Sequence, residues 1–279
     1  MKIETPRKIA WAIRRHPFLF YFRYFLMSKN FTEKNSDDIG CFNDINEMHD
    51  IPIIFFEVNR NIGINSKEDE FERALAIAAY LRNNIKGGKG LGLSSNTTLK
   101  NMIDGQGGVC SDFSLIFNIF CFINGIKVKE WGCVDRFYKS RFGHTFNEIY
   151  SSKLEKWIAI DCHKGMYFTA YTSTPLSAME LFQYLRSGNS LKYTFISDYV
   201  PKSVERTKYV YSKSTMPFII NNYNNSVYDY YLNKFQNVLP AFVINALLIL
   251  LKLNHHFVFI LDNYKKKLLP SPLQKIYRA

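Results

Sequence analysis

Gly107-Gly108-Val109-Cys110-Ser111-Asp112-Phe113, running directly into Ser114-Leu115-Ile116-Phe117-Asn118-Ile119-Phe120, is the stretch on which the fold turns. Two glycines permit a tight backbone turn before Cys110, and the periodic apolar residues after it suit a buried helix that ends at Gly125. The thiol then stands at a helix N-terminus. Unpaired backbone N–H groups and the positive end of the helix dipole favour the thiolate there, and the thiolate is the nucleophilic form. A small cysteine at the start of a buried helix also has a plain packing reading, so residues elsewhere must decide between the two.

Downstream, His144-Thr145-Phe146-Asn147-Glu148-Ile149-Tyr150 is rich in strand formers, Ser151 to Lys156 is a polar turn, and Trp157-Ile158-Ala159-Ile160-Asp161 is a second strand. Together they read as an antiparallel hairpin. Placing His144 opposite Asp161 centres the turn between Ser152 and Lys153, inside the polar stretch. The two side chains then project from one face with Cβ atoms roughly 5 Å apart, so the carboxylate can hold one imidazole nitrogen while the other faces a thiol. Cys110, His144 and Asp161 would make a nucleophile, a base and an orienter.

This pattern resembles the transglutaminase-like superfamily, papain-like thiol enzymes. The likeness rests on several features: glycines before Cys110, Asp112 two residues after it, an aromatic residue and Asn147-Glu148 after His144, and Trp157 four residues before Asp161. It covers roughly Ser66 to Gly165. Two positions depart from the common pattern: Phe146 stands where many members have tryptophan, and Cys162 where many have proline. Neither removes a catalytic atom. The first points to altered packing or an altered groove; the second puts a further thiol beside the site, either reactive or simply a small buried residue.

The resemblance implies an α+β papain-like core in which a helix bearing Cys110 packs on an antiparallel sheet bearing His144 and Asp161; the apolar, basic chain ends read as additional helices at both termini. It implies acyl transfer through a Cys110 thioester, without a metal or organic cofactor. Water as acceptor makes a cysteine peptidase or amidase, an amine makes a protein-glutamine crosslinking enzyme, and hydrolysis is favoured because nothing in the sequence specifies an amine site. A catalytically silent, membrane-associated binding protein on the same fold is the reading outside enzymology. The Cys110 backbone N–H is the natural first oxyanion donor. Gln106 has suitable chemistry for a second but reads equally well as a solvated loop residue. Zinc is disfavoured: Cys133, His144, Cys162 and His163 lack metal-site spacing, and Cys162 and His163 are adjacent on an extended chain and point to opposite faces.

The 279 residues suffice for one substantial core with flanking elements, and 24 Phe and 18 Tyr exclude wholesale disorder. The sequence divides into a basic helical extension and acidic connector (1–59), a catalytic core (60–200) and a C-terminal extension (201–279). A short strand is expected at Ile51 to Val58 and a helix capped by Ser66, running from Lys67 to about Ile85. Further on, Ile126 to Val134 reads as a strand, and Arg136 to Phe142 as a loop rimming the site. The net charge of +12 gathers at the two ends. Both ends are also apolar and aromatic, notably 17–27 and 238–251, but polar residues interrupt them short of a membrane span. They fit either helices packed on the core or peripheral contact with an anionic membrane, reinforced by Lys265, Lys266 and Lys267. No nucleic-acid-binding motif occurs. Five cysteines, odd in number and unevenly spaced, do not form a disulfide framework, and no cleavable leader is read. A cytoplasmic protein acting on a peptide or protein substrate is expected.

Overall fold

Alternate residues along a strand face opposite sides of a sheet, and here each side has its own apolar core. The computed structural model describes residues 29–65, 68–134, 143–171, 173–196, 204–220, 223–239, 243–244, 247–248, 251 and 258–261. The strands are β1 (Lys29–Phe31), β2 (Val128–Val134), β3 (Gly143–Ser151), β4 (Lys156–Asp161), β5 (Met166–Thr169), β6 (Lys192–Phe195), β7 (Met216–Ile220) and β8 (Val258–Leu261). They form one sheet in the order β1-β8-β7-β2-β3-β4-β5-β6. The β1–β8 pair is parallel and the other pairs are antiparallel. The described helices are α1 (Ile53–Arg60), α2 (Glu70–Asn84), α3 (Ser95–Ile103), α4 (Cys110–Ile123), α5 (Ala178–Arg186), α6 (Val204–Val210) and α7 (Asn225–Phe235). The fold is α+β, as expected.

On one side of the sheet Ile149, Ile158 and Ile160 pack against Phe117 and Phe120 of α4, Ile77 and Leu81 of α2 and Phe55 of α1. On the other, Trp131, Phe146, Ala159 and Phe168 meet Leu181 and Phe182 of α5 and Phe218 of β7. Helix α4 is buried almost all round, which explains its apolar sequence. It ends where Asn124 donates to the Phe120 carbonyl at 2.7 Å and Gly125 takes a φ of 68°.

Several expectations are corrected. Ile51 to Val58 is not a strand: from Ile53 it is helix α1, because Pro52 supplies the entry turn and Phe55 buries against Phe120. Tertiary packing overrides the strand propensity of Ile, Phe and Val. Helix α2 starts at Glu70, and its cap is Asp69, whose carboxylate accepts the Glu72 N–H at 2.9 Å. Ser66 and Lys67 lie outside the described residues. Lys29 and Asn30 belong to a strand instead of a helix, and the acidic connector after them buries Ile39, Cys41 and Phe42 through short 3-10 turns. The sheet runs across the expected boundaries near 59 and 200, since β1, β7 and β8 join it from the flanks. Residues 1–28, the expected rim loop at 136–142 and Lys265, Lys266 and Lys267 lie outside the described residues. Within the apolar stretch 238–251, Ile244 and Leu248 are buried in the α4 side of the core, while Leu247 and Leu251 are exposed.

Candidate active site

The turn before Cys110 is built from backbone. Gly107 and Gly108 have φ of 144° and 118°, a region that L side chains avoid. Gly108 donates to the Lys89 carbonyl and accepts from the Gly88 N–H, both at 2.8 Å. A Cβ at Gly107 would approach the Lys89 oxygen to 2.5 Å. Asp112, one turn into α4, accepts from the Val109, Leu91 and Gly92 N–H groups at 2.9, 3.0 and 3.1 Å. Its buried carboxylate therefore clamps the glycine loop to the start of the helix. Cys110 is left partly exposed at the first helical position.

Helix α4 is tied to β3 by Asn147, whose amide donates to Ser114 O at 3.2 Å and Asn118 Oδ1 at 2.7 Å. This brings Cys110 beside the start of β3, next to the His144 imidazole and the Thr145 N–H, both of which favour its thiolate. His144 Nε2 lies 2.7 Å from Asp161 Oδ2, which leaves Nδ1 for the thiol. Asp161 is fully buried and takes two more donors: Lys164 N–H to Oδ1 at 2.9 Å and Tyr211 O–H to Oδ2 at 2.7 Å.

The electrostatics are those of an ion pair. Burial opposes ionisation of Cys110, but the His144 charge, its hydrogen bond and the Thr145 N–H outweigh it and hold the thiol below its ordinary range. Burial likewise opposes charge on His144, yet Asp161 and Cys110 lift it to about 10. Asp161 would be pushed up by burial; instead the His144 charge and its hydrogen bond, with the Tyr211 O–H, keep it low. The arrangement can present a thiolate and an imidazolium together.

The hairpin register differs from the expected one by two residues: Asn147 faces Ile160 where Ile158 was expected. An even shift preserves the face, so His144 and Asp161 still project from the same side and meet diagonally. Two neighbours complete the site: His163, which the sequence reading weighed only as a metal ligand, and Tyr211, which it did not single out. His163 follows Asp161 by two residues, a spacing that signals a shared face. Its ring sits 5.8 Å from that of His144 and 5.2 Å from that of Phe113. Burial and nearby cations push it down to about 4, so it is neutral, and its Nδ1 has no hydrogen-bond partner among the described residues. Tyr211 is far from the motifs in sequence, and no local signal marks it.

Cys162 faces the opposite core with Cys121, and burial raises its thiol far above the ordinary range. Phe146 stacks on Trp131 and lies in the core, so the departure at that position is one of packing. Gln106 is exposed. One atom each from His144, Asp161 and His163 falls within 4.8 Å of the others, a conceivable donor set for a metal. His144 and Asp161 already satisfy each other without one.

Residues 58–162 match the family model of the transglutaminase-like superfamily. Over that stretch the chain carries a transglutaminase-like domain, and Cys110, His144 and Asp161 all fall within it. No curated protein and no solved structure matches the chain. Among the described residues no helix is long and apolar enough to cross a membrane.

Proposed function

We propose that this protein is a thiol-dependent acyl-transfer enzyme acting on peptide or amide bonds, with Cys110 as nucleophile, His144 as base and acid, and Asp161 as orienter. The observation that carries this reading is the buried pair of His144 Nε2 and Asp161 Oδ2 at 2.7 Å, with Cys110 at the start of α4 close enough to the same imidazole to raise its proton affinity. The thiolate attacks the carbonyl carbon, and the Cys110 backbone N–H at the helix start donates to the oxyanion. As the C–N bond breaks, His144 gives its proton to the departing amine and an acyl thioester remains on Cys110. Water then attacks the thioester, His144 takes its proton, and the acid leaves with the thiolate restored. Hydrolysis is the favoured outcome because water is the default acceptor.

The test is the pH dependence of Cys110 alkylation by iodoacetamide, with mass spectrometry to assign the modified thiol. Wild type should react selectively well below pH 8.5, and His144→Ala should slow the reaction at pH 6 on the order of 100-fold. Slow modification with ordinary pH dependence in both proteins would remove the reading. Incorporation of an amine donor into a glutamine substrate would identify transfer to amines in place of water. Peripheral binding to an anionic membrane, suggested by the basic and aromatic chain ends, is tested by flotation with anionic vesicles at low salt; absence of binding removes it.

A further inference from the structure

Tyr211 stands 50 residues beyond Asp161 and outside the matched stretch. It follows α6 directly, is only 2% exposed, and has its ring against Phe168, Phe146 and His144 at centroid distances of 4.5, 5.8 and 5.9 Å. Its hydroxyl donates to Asp161 Oδ2 at 2.7 Å, the same oxygen that faces His144 Nε2 at 2.7 Å. With Lys164 N–H on Oδ1, neither oxygen of the carboxylate is without a donor, and rotation of the group would break all three bonds.

We propose that Tyr211 is a positioning residue of this centre: by sharing Asp161 Oδ2 with His144 it fixes the carboxylate and limits how tightly His144 keeps its proton. Two donors on one oxygen each weaken the pull that the other feels, since both draw on the same electron density. A carboxylate engaged by His144 alone would bind the imidazolium more strongly. His144 would then be a poorer acid toward a departing amine. The catalytic consequence rests on the acyl-transfer reading; the competition for Oδ2 does not.

The titratable groups that face His144 are Cys110 from α4, Cys133 paired with it across β2, Asp161 and His163 from the end of β4 and its turn, and Tyr211. Burial pushes Cys133 and Tyr211 far up and His163 down, so all three are neutral near pH 7. Replacing Tyr211 by Phe thus removes a neutral donor and no charge.

The experiment is an NMR titration of the His144 ring in the full chain, beside the Cys110 alkylation profile, in wild type and Tyr211→Phe. The His144 pKa should rise by roughly half a unit to one unit, the size of one shared hydrogen bond. Site-specific 3-fluorotyrosine at position 211 keeps the ring and strengthens the donor, so it should move the His144 pKa the other way. It also supplies the decisive measurement if the Phe variant does not fold. A folded variant with an unchanged or lowered His144 pKa, or a fluorotyrosine protein with no shift, overturns the proposal. Ordinary alkylation of wild-type Cys110 would instead defeat the acyl-transfer reading, while the His144 shift would still decide the role of Tyr211.

Discussion

Asp112 and Asp161 are both buried, yet they do different work because different donors face them. Asp112 accepts three backbone N–H groups, and its role is to hold a loop in place. Asp161 faces an imidazole and is tied to proton affinity. Asp112→Ala leaves three backbone donors without their acceptor and is expected to destabilise the fold by about 3 kcal/mol or more, read from the urea midpoint. Asp161→Asn should leave the fold largely intact but withdraw the charge that raises His144. The His144 pKa then falls, and selective alkylation of Cys110 at pH 6 should slow by at least about tenfold. Equal rates in the two proteins would show that the carboxylate does not act through His144.

At the scale of elements, β3 joins the two faces of the molecule. Asn147 ties it to α4 on one side. On the other, Glu148 accepts from Trp131 Nε1 at 2.8 Å and from the first N–H of α5, at Ala178, at 2.7 Å. Cross-strand from it, Lys129 donates to the carbonyls of Ser36 and Asp37 and lies over the Trp157 ring. Burial pushes the Glu148 carboxyl up to about 7, against 4.5 when unfolded. Between those values the folded protein binds a proton that the unfolded chain has lost, so this group makes stability fall as pH rises from about 4.5 to 7. His163, pushed down to about 4, contributes the opposite slope between about 4 and 6.5, so the test is the difference: the melting temperature of wild type minus that of Glu148→Gln should fall as pH rises from about 4.5 to 7, and a constant difference would refute the assignment. Asn147-Glu148 was legible as part of a motif, but its division of labour was not, because it depends on what each face of β3 meets.

For the whole molecule, the matched stretch 58–162 is not the whole sheet. The β2 edge is covered by β7, itself paired with β8, and β8 lies beside β1, so chain from both flanks completes the structure around the site. A fragment of residues 58–162 would expose the β2 edge and the side bearing Trp131 and Phe146, and it would lack Tyr211. It is expected to aggregate or bind a hydrophobic dye such as ANS, whereas the full chain should not. A monomeric, dye-silent fragment with rapid Cys110 alkylation at pH 6 would refute this view of the flanks.

The sequence by itself determined the helix that starts at Cys110, the hairpin that carries His144 and Asp161, and their common face. Each follows from local rules: glycine conformational freedom, apolar periodicity and the two-residue repeat of a strand. That repeat is also why a register error of two residues left the pairing of His144 with Asp161 intact. Only the tertiary structure decided that Ile53–Arg60 is a helix, that β1, β7 and β8 complete the sheet, and that Tyr211 reaches Asp161. These depend on contacts between residues far apart in the chain, where burial against a partner outweighs local propensity and no short-range pattern records which partner it will be.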